Sequence, residues 1–364
     1  MSDETQANDE TSPSRPKRGL RRGSPLWIAL IIAPWAAWAM YAIFGGQQGP
    51  TAREVVVYCA HDRLFSQPIL DAFERKHGIK VRAKWDSEAT KTTGLVQTLL
   101  AQRENPRCDV FWNNEVSQTI RLAQADALQA YESPVAAELP SWARDSAHLW
   151  TGFAARARVL IVNAGRVPKD QLPTSLDDLL DPKWKGQIGI AKPLYGTTAT
   201  HVAARFAEDP AAGRAFFDKL KANGAVVCAG NADVKDRVAA GELAFGLTDT
   251  DDANLALEAG KAVIVVFPDQ GPEGRGTLLI PNSVAIVKGA PHLAEAQALV
   301  DFLLSAEVEE ALAHSRSVQI PLRTSIPRAA WIPQNLKAEP VKWPEVARAF
   351  PAARDYVQQS FLSE

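Results

Sequence analysis

The stretch "VVVYCAHDRLFSQPILDAFERKHGIKVRAKW", residues 55–85, decides the fold class. Val55 to Cys59 is a short β-rich run. Ile69, Leu70 and Phe73 then recur at the spacing of one helical face, and Gly78 supplies the stop. Residues 79–85 return to a strand pattern. A helix of that length between two strands implies a parallel βαβ unit. The alternation continues outward from this unit. A helical pattern at 92–105, a strand at 108–112 and a helix at 115–128 follow, then strand-like runs at 157–163, 187–193, 224–228, 243–247, 261–267 and 283–289 with helical patterns between them. The expectation is an α/β sandwich of parallel units, with no internal repeat at a fixed period.

Composition narrows the function. With 46% hydrophobic residues in 364, the chain has enough apolar material for two domains, while a net charge of -2 offers no footprint for a polyanion. No nucleic-acid partner is expected. Cys59, Cys108 and Cys228 are widely spaced, with no CxxC pair, and read as small buried residues. In an oxidising compartment one disulfide could form, with at least one thiol left over.

The N-terminal fifty residues stand apart. Residues 1–25 form a polar tail too poor in apolar groups to offset chain entropy. "LWIALIIAPWAAWAMYAIF", residues 26–44, carries no charge and approaches the roughly 20 residues of a transmembrane helix. Lys17, Arg18, Arg21 and Arg22 precede it and an uncharged flank follows, so the tail is expected in the cytoplasm and the remainder outside it. The alternative is a signal sequence cleaved near Ala37-Trp38-Ala39.

Ligands of open α/β sheets sit beyond the carboxyl ends of the strands. Here those positions hold His61 and Asp62, then Asp86 and Ser87, then Asn113, Asn114 and Glu115, and finally, in "FGLTDTDD" at 245–252, Asp249, Asp251 and Asp252. Each has a bland explanation, since Asp, Asn and Glu cap helices and complement helix dipoles. Together they make a candidate metal site, because closely spaced carboxylates repel unless a positive charge lies among them. In "KPLYGTTATH", Gly196, Thr197 and Thr198 fall at a helix start that suits an anion, with Arg158 as a possible charged partner; an ordinary threonine cap and a surface arginine explain them as well. A carboxylate cluster beside an anion seat suggests a cation bound with a counter-anion.

From about Val55 to Leu322 the chain resembles the periplasmic solute-binding proteins of ABC importers, in the branch that contains the ferric-ion-binding proteins. The resemblance rests on "VVVYCAHD", "PILDAFERKHGIKV", "CDVFW", "ARARVLIVN", "DPKWKGQIGIAKP" and "VDFLLSAEVEEAL" in that order. It implies a type II two-lobed fold, hinge-linked, with lobe one at 53–154 and 282–364, lobe two at 155–281, and one ligand enclosed between them. It also implies an inner-membrane ABC permease as partner, a periplasmic location and a monomer. The family's histidine aligns with Asp62, His61 lying one place earlier, and its glutamate with Asn114 or Glu115. Its adjacent tyrosine pair is replaced by Asp251-Asp252, so no phenolate is expected there. The counter-anion seat matches Gly196, Thr197 and Thr198, and the anion-binding arginine matches Arg158.

Carboxylates, amides and one imidazole form a generic hard-cation site, suited to calcium, magnesium, manganese or ferric iron. The alternative ligand is a cationic organic solute, such as a polyamine or an amino-phosphonate. A third possibility is a membrane-tethered sensor or structural ectodomain. No GxSxG, HExxH or P-loop is present, so no enzyme and no catalytic cofactor are expected; Asp249 with Asp251 would be the acid-base pair of a glycosidase reading. The runs at 153–163 and 276–289 are read as the two crossings between lobes. The carboxylates are expected to repel across the empty cleft until a cation neutralises them, and the C-terminal helix to pack on lobe one.

Overall fold

The parallel unit expected at residues 55–85 is present. The structure, a computed structural model, describes residues 53–86 and 93–363. The tail, the anchor or signal sequence at 26–44, and Ser87 lie outside the described residues. Among the described residues no helix is long and apolar enough to cross a membrane.

Strand β1 (Glu54–Cys59) pairs in parallel with β2 (Lys80–Trp85), Glu54 opposite Lys80 and Cys59 opposite Trp85. Between them α1 (Arg63–His77) buries Phe65, Ile69, Leu70 and Phe73. Gly78, at φ 64°, ends the helix by donating its N–H to the carbonyl of Glu74, a left-handed turn that glycine adopts without strain. After α2 (Thr93–Ala101), β3 (Val110–Asn113) joins the other side of β1, followed by α3 (Ser117–Gln124) and the short β4 (Leu128–Gln129).

Strand β5 (Thr151–Asn163), buried along its whole length, belongs to two sheets. Up to Ala157 it pairs with β10 (Leu279–Val287); from Arg158 onward it pairs with β8 (Phe245–Asp249). The second sheet is completed by β6 (Ile188–Ala191), β7 (Val226–Cys228) and β9 (Val263–Val266). The expectation of purely parallel units is corrected here, because β5, β9 and β10 are antiparallel to the strands they join. A chain that leaves one lobe along β5 and returns along β10 must run in opposite directions on the two passages. Asn282 on β10 donates to the carbonyl of Ala154 at 2.6 Å and to Gln319 Oε1 at 2.8 Å, tying both passages to a third segment that bridges Ala155 through Ile320.

Around the second sheet lie α4 (Gly196–Glu208), α5 (Pro210–Ala222), α6 (Asn231–Ala239) and α7 (Thr250–Glu258). Gly189 and Gly246 lie opposite one another on β6 and β8. A Cβ on Gly246 would stand 2.5 Å from a methyl of Val234, so the bare backbone is what lets α6 press onto the sheet and bring Asn231 beside Asp249.

The C-terminal part adds α8 (Leu293–Leu303), α9 (Ala306–His314) and α10 (Trp343–Tyr356). Helix α10 does not pack on the first lobe alone. The guanidinium of Arg121, on α3, lies 5.5 Å from the ring of Phe350, while Tyr356 stacks near Phe206 of α4 at 5.3 Å and donates its hydroxyl to Asp218 at 2.6 Å. Its apolar stripe, Trp343, Val346, Ala347, Phe350 and Ala353, belongs to one continuous core cluster with side chains of both α3 and α4. All three cysteines are buried and unlinked.

Candidate functional site

Alternation along β5 puts Arg156 and Arg158 on one face, at the point where the strand passes from one sheet to the other. Above them lies a cavity of about 60 Å³. At roughly 30 Å³ for each water in the liquid, this is room for about two water-sized groups, the scale of an ion with a small ligand group. Asp62 and Asn114 reach it from the elements around β1 and β3; Gly196, Thr197, Thr198, Asp249, Asp251 and Asp252 reach it from the elements around β6 and β8. Eight of the residues singled out in the sequence therefore share one cavity.

His61, Glu115 and Arg158 lie behind the wall. His61 packs between Phe65 and Trp112, with ring centroids 5.7 and 5.5 Å away. Arg156 Nη2 stands 3.0 Å from His61 Nδ1; a guanidinium only donates, so Nδ1 accepts and the ring proton is assigned to Nε2. Glu115 is fully buried and accepts from Asn113 Nδ2, the amides of Ser117 and Gln118, and Thr200 Oγ1 at 2.8 Å on α4. Burial pushes its carboxyl above the ordinary value of 4.5, with these four donors acting in the opposite sense. Arg158 is buried beneath the cavity. Its Nη1 lies 2.6 Å from Asp249 Oδ1, and it also donates to Thr197 and Thr198.

These contacts change how the aspartates are understood. Asp249 accepts on both oxygens, from Arg158 on Oδ1 and from Thr197 Oγ1 and Asn231 Nδ2 on Oδ2. Asp251 Oδ2 lies 3.3 Å from Arg156 Nη1. Burial alone would lower Arg156, but the carboxylates of Asp251, Asp249, Asp62 and Asp252 outweigh it and hold the guanidinium above its usual range. The expected mutual repulsion of bare carboxylates is therefore corrected, because two arginines of the chain already lie among them. One oxygen from each of Asp249, Asp251 and Asp252 still falls within 4.8 Å of the others, close enough for a shared hard cation with oxygen contacts of about 2.3–2.6 Å.

Sequence reasoning missed Arg156, Lys192, Tyr195 and Asn231, which also line the cavity. Tyr195, the residue just before α4, lines the cavity on a different element from the Asp251-Asp252 position where the resemblance places the tyrosine pair. Gly196, at φ 55°, opens α4, and the first-turn amides of that helix have no intrahelical acceptor to serve. The hydroxyls of Thr197 and Thr198 turn down to Arg158, so an anion here would meet backbone N–H groups with Lys192, Tyr195 and Asn231 around it.

A family model described as "Bacterial extracellular solute-binding protein" matches residues 69–340. Iron uptake protein A1 of Synechocystis sp. is 27% identical over 286 residues, covering 76% of this chain and 77% of that protein. A putative 2-aminoethylphosphonate-binding periplasmic protein of Salmonella typhimurium is 27% identical over 300 residues, covering 79% and 85%. The crystal structure of apo ferric ion-binding protein A from Pasteurella haemolytica superposes with a TM-score of 0.75 at 26% identity, covering 86% of this chain and all of that one.

Proposed function

The chain belongs to the bacterial extracellular solute-binding protein family, and from that premise we propose that it is the periplasmic substrate-binding component of an ABC importer whose cargo is a hard metal cation held between two lobes. The observation that carries this reading is the convergence of Asp62 from one lobe with Asp251 and Asp252 from the other on a single cavity. Asp62, Asp251 and Asp252, with the Asn114 amide, are assigned as the cargo ligands because they line one cavity, and a synergistic anion is assigned to Gly196, Thr197 and Thr198. The likeness to the iron uptake protein of Synechocystis and to the ferric ion-binding protein of Pasteurella supports iron among the candidate cations.

Cargo contacts made from both lobes favour the form in which the lobes meet, and the importer's permease would read that form. The lobes are assigned as 53–154 with 282–364 and as 155–281, an assignment supported by the division of β5 between two sheets. The uncharged run at 26–44 behind its basic flank supports export, with the chain tethered to the inner membrane. No catalytic role is assigned to any residue.

A second reading has its own observation. Arg156 and Arg158 already offset much of the negative charge, which suits a ligand carrying both signs, such as an amino-phosphonate with its ammonium at Asp251 and Asp252 and its phosphonate at the start of α4. Native mass spectrometry of the protein as purified, combined with elemental analysis, separates the two. A stoichiometric metal supports the first reading. A bound organic mass without metal replaces it with the second.

A further inference from the structure

Five described residues other than glycine have a positive φ. Asp126, His148 and Asp269 are of types that tolerate it. Ala154, at 35°, and Val318, at 41°, are not, and a β-branched residue in that region is strained. These two flank one point of the fold, the bridge at which Ala155 and Ile320 exchange backbone hydrogen bonds of 2.7 and 2.6 Å.

Three passages of the chain meet there. Ala155 stands opposite Pro281 and Phe153 opposite Asn282, so Ala154 is the extra residue of a β-bulge on β5, the strand shared by the two sheets. Its N–H donates to Glu309 Oε1 at 2.9 Å and its carbonyl accepts from Asn282 Nδ2 at 2.6 Å. Glu309, fully buried, also accepts from the amide of Leu322 and from Arg323 Nη1 at 2.8 Å. Beside this clasp, Asn282 Oδ1 and Gln319 Nε2 are buried with no hydrogen-bond partner among the described residues, which destabilises the same spot further. Strain concentrated where two sheets are linked persists because the surroundings impose it, and a motion that relaxes the bulge releases it.

We propose that the Ala155–Ile320 bridge is the pivot of lobe movement, and that Ala154 and Val318 store strain in this arrangement that biases the cargo-free protein toward a form with the lobes parted. Cargo contacts made from both sides of the cavity then hold the strained form together. The inference rests on the two-lobed reading above and is independent of the chemistry of the cargo.

The test measures the separation of two spin labels on the cargo-free full chain, placed at Leu64→Cys on α1 and Val227→Cys on β7. Both positions are exposed, and each lies two residues from a cavity-lining residue, Asp62 and Ala229. Ala154→Gly and Val318→Gly remove the Cβ that makes positive φ costly, and each is expected to raise the ratio of short to long separations by about fivefold or more while keeping the urea midpoint. Ala157→Gly, on the same strand without a positive φ, is expected to lower the midpoint and leave the ratio unchanged. An unchanged ratio in the glycine variants at 154 and 318 overturns this inference alone, and having two of them keeps the test decisive if one fails to fold. An equal shift in Ala157→Gly also overturns it, by assigning the effect to general softening of β5. One separation common to the parent and every variant overturns lobe closure, and this inference with it.

Discussion

Arg158 Nη1 and Asp249 Oδ1 lie 2.6 Å apart with both side chains buried, at the residue pair where β5 meets β8. A buried ion pair adds little net stability, but removing one partner strands the other. Asp249→Asn is therefore expected to lower the unfolding free energy by about 3–5 kcal/mol, read by urea denaturation. A loss under about 1 kcal/mol would mean that Arg158 does not depend on Asp249.

Asp251 and Asp252 belong to the first turn of α7, and Asp251 Oδ2 lies 3.3 Å from Arg156 Nη1. Asp251→Asn with Asp252→Asn is expected to weaken cargo binding by more than about a hundredfold, roughly 2.7 kcal/mol, while the far-ultraviolet circular dichroism keeps its native shape. Wild-type affinity in the double variant would remove these residues from the site.

Tyr195 offers the cavity's phenol. If the cargo is ferric iron and the phenolate coordinates it, loading gives a visible charge-transfer absorption that Tyr195→Phe abolishes while the Asp251 and Asp252 contribution remains. An identical spectrum in the variant would show that the phenol stands aside.

Glu115 makes stability depend on pH. Burial raises its carboxyl in the folded state above the ordinary 4.5, so the folded chain holds this proton more tightly than the unfolded one. Its contribution is fully present below pH 4.5 and is lost as pH rises through the raised folded value. Glu115→Gln is expected to flatten this part of the profile in urea denaturation measured from pH 5 upward. A variant curve parallel to wild type would assign the dependence elsewhere.

Much of this architecture can be read from residue patterns. The apolar spacing of Ile69, Leu70 and Phe73, the stop at Gly78 and the oxygen-bearing residues after each strand are local features, and they placed eight residues around one cavity. What escaped depends on tertiary context. Arg158 was expected to be an anion-binding arginine, with a surface arginine on a strand edge as the alternative, although Arg156 two places earlier on the same face, within an otherwise apolar run, was a signal that both are buried and paired. Asn231 comes within 2.8 Å of Asp249 only because two glycines on neighbouring strands let α6 approach. Helix α10 looked amphipathic, but its pattern could not say that its apolar face is shared between α3 and α4. Glu115 had the right chemistry for a ligand; its four donors, one from across the lobes, come from the fold.

The central claim is that carboxylates from two lobes grip one positively charged guest. Anomalous diffraction from crystals of the metal-loaded protein tests it directly. The account predicts a single strong peak between the carboxylates of Asp62, Asp251 and Asp252, beside the start of α4. A cleft without such a peak, or a metal bound only elsewhere on the chain, would contradict it.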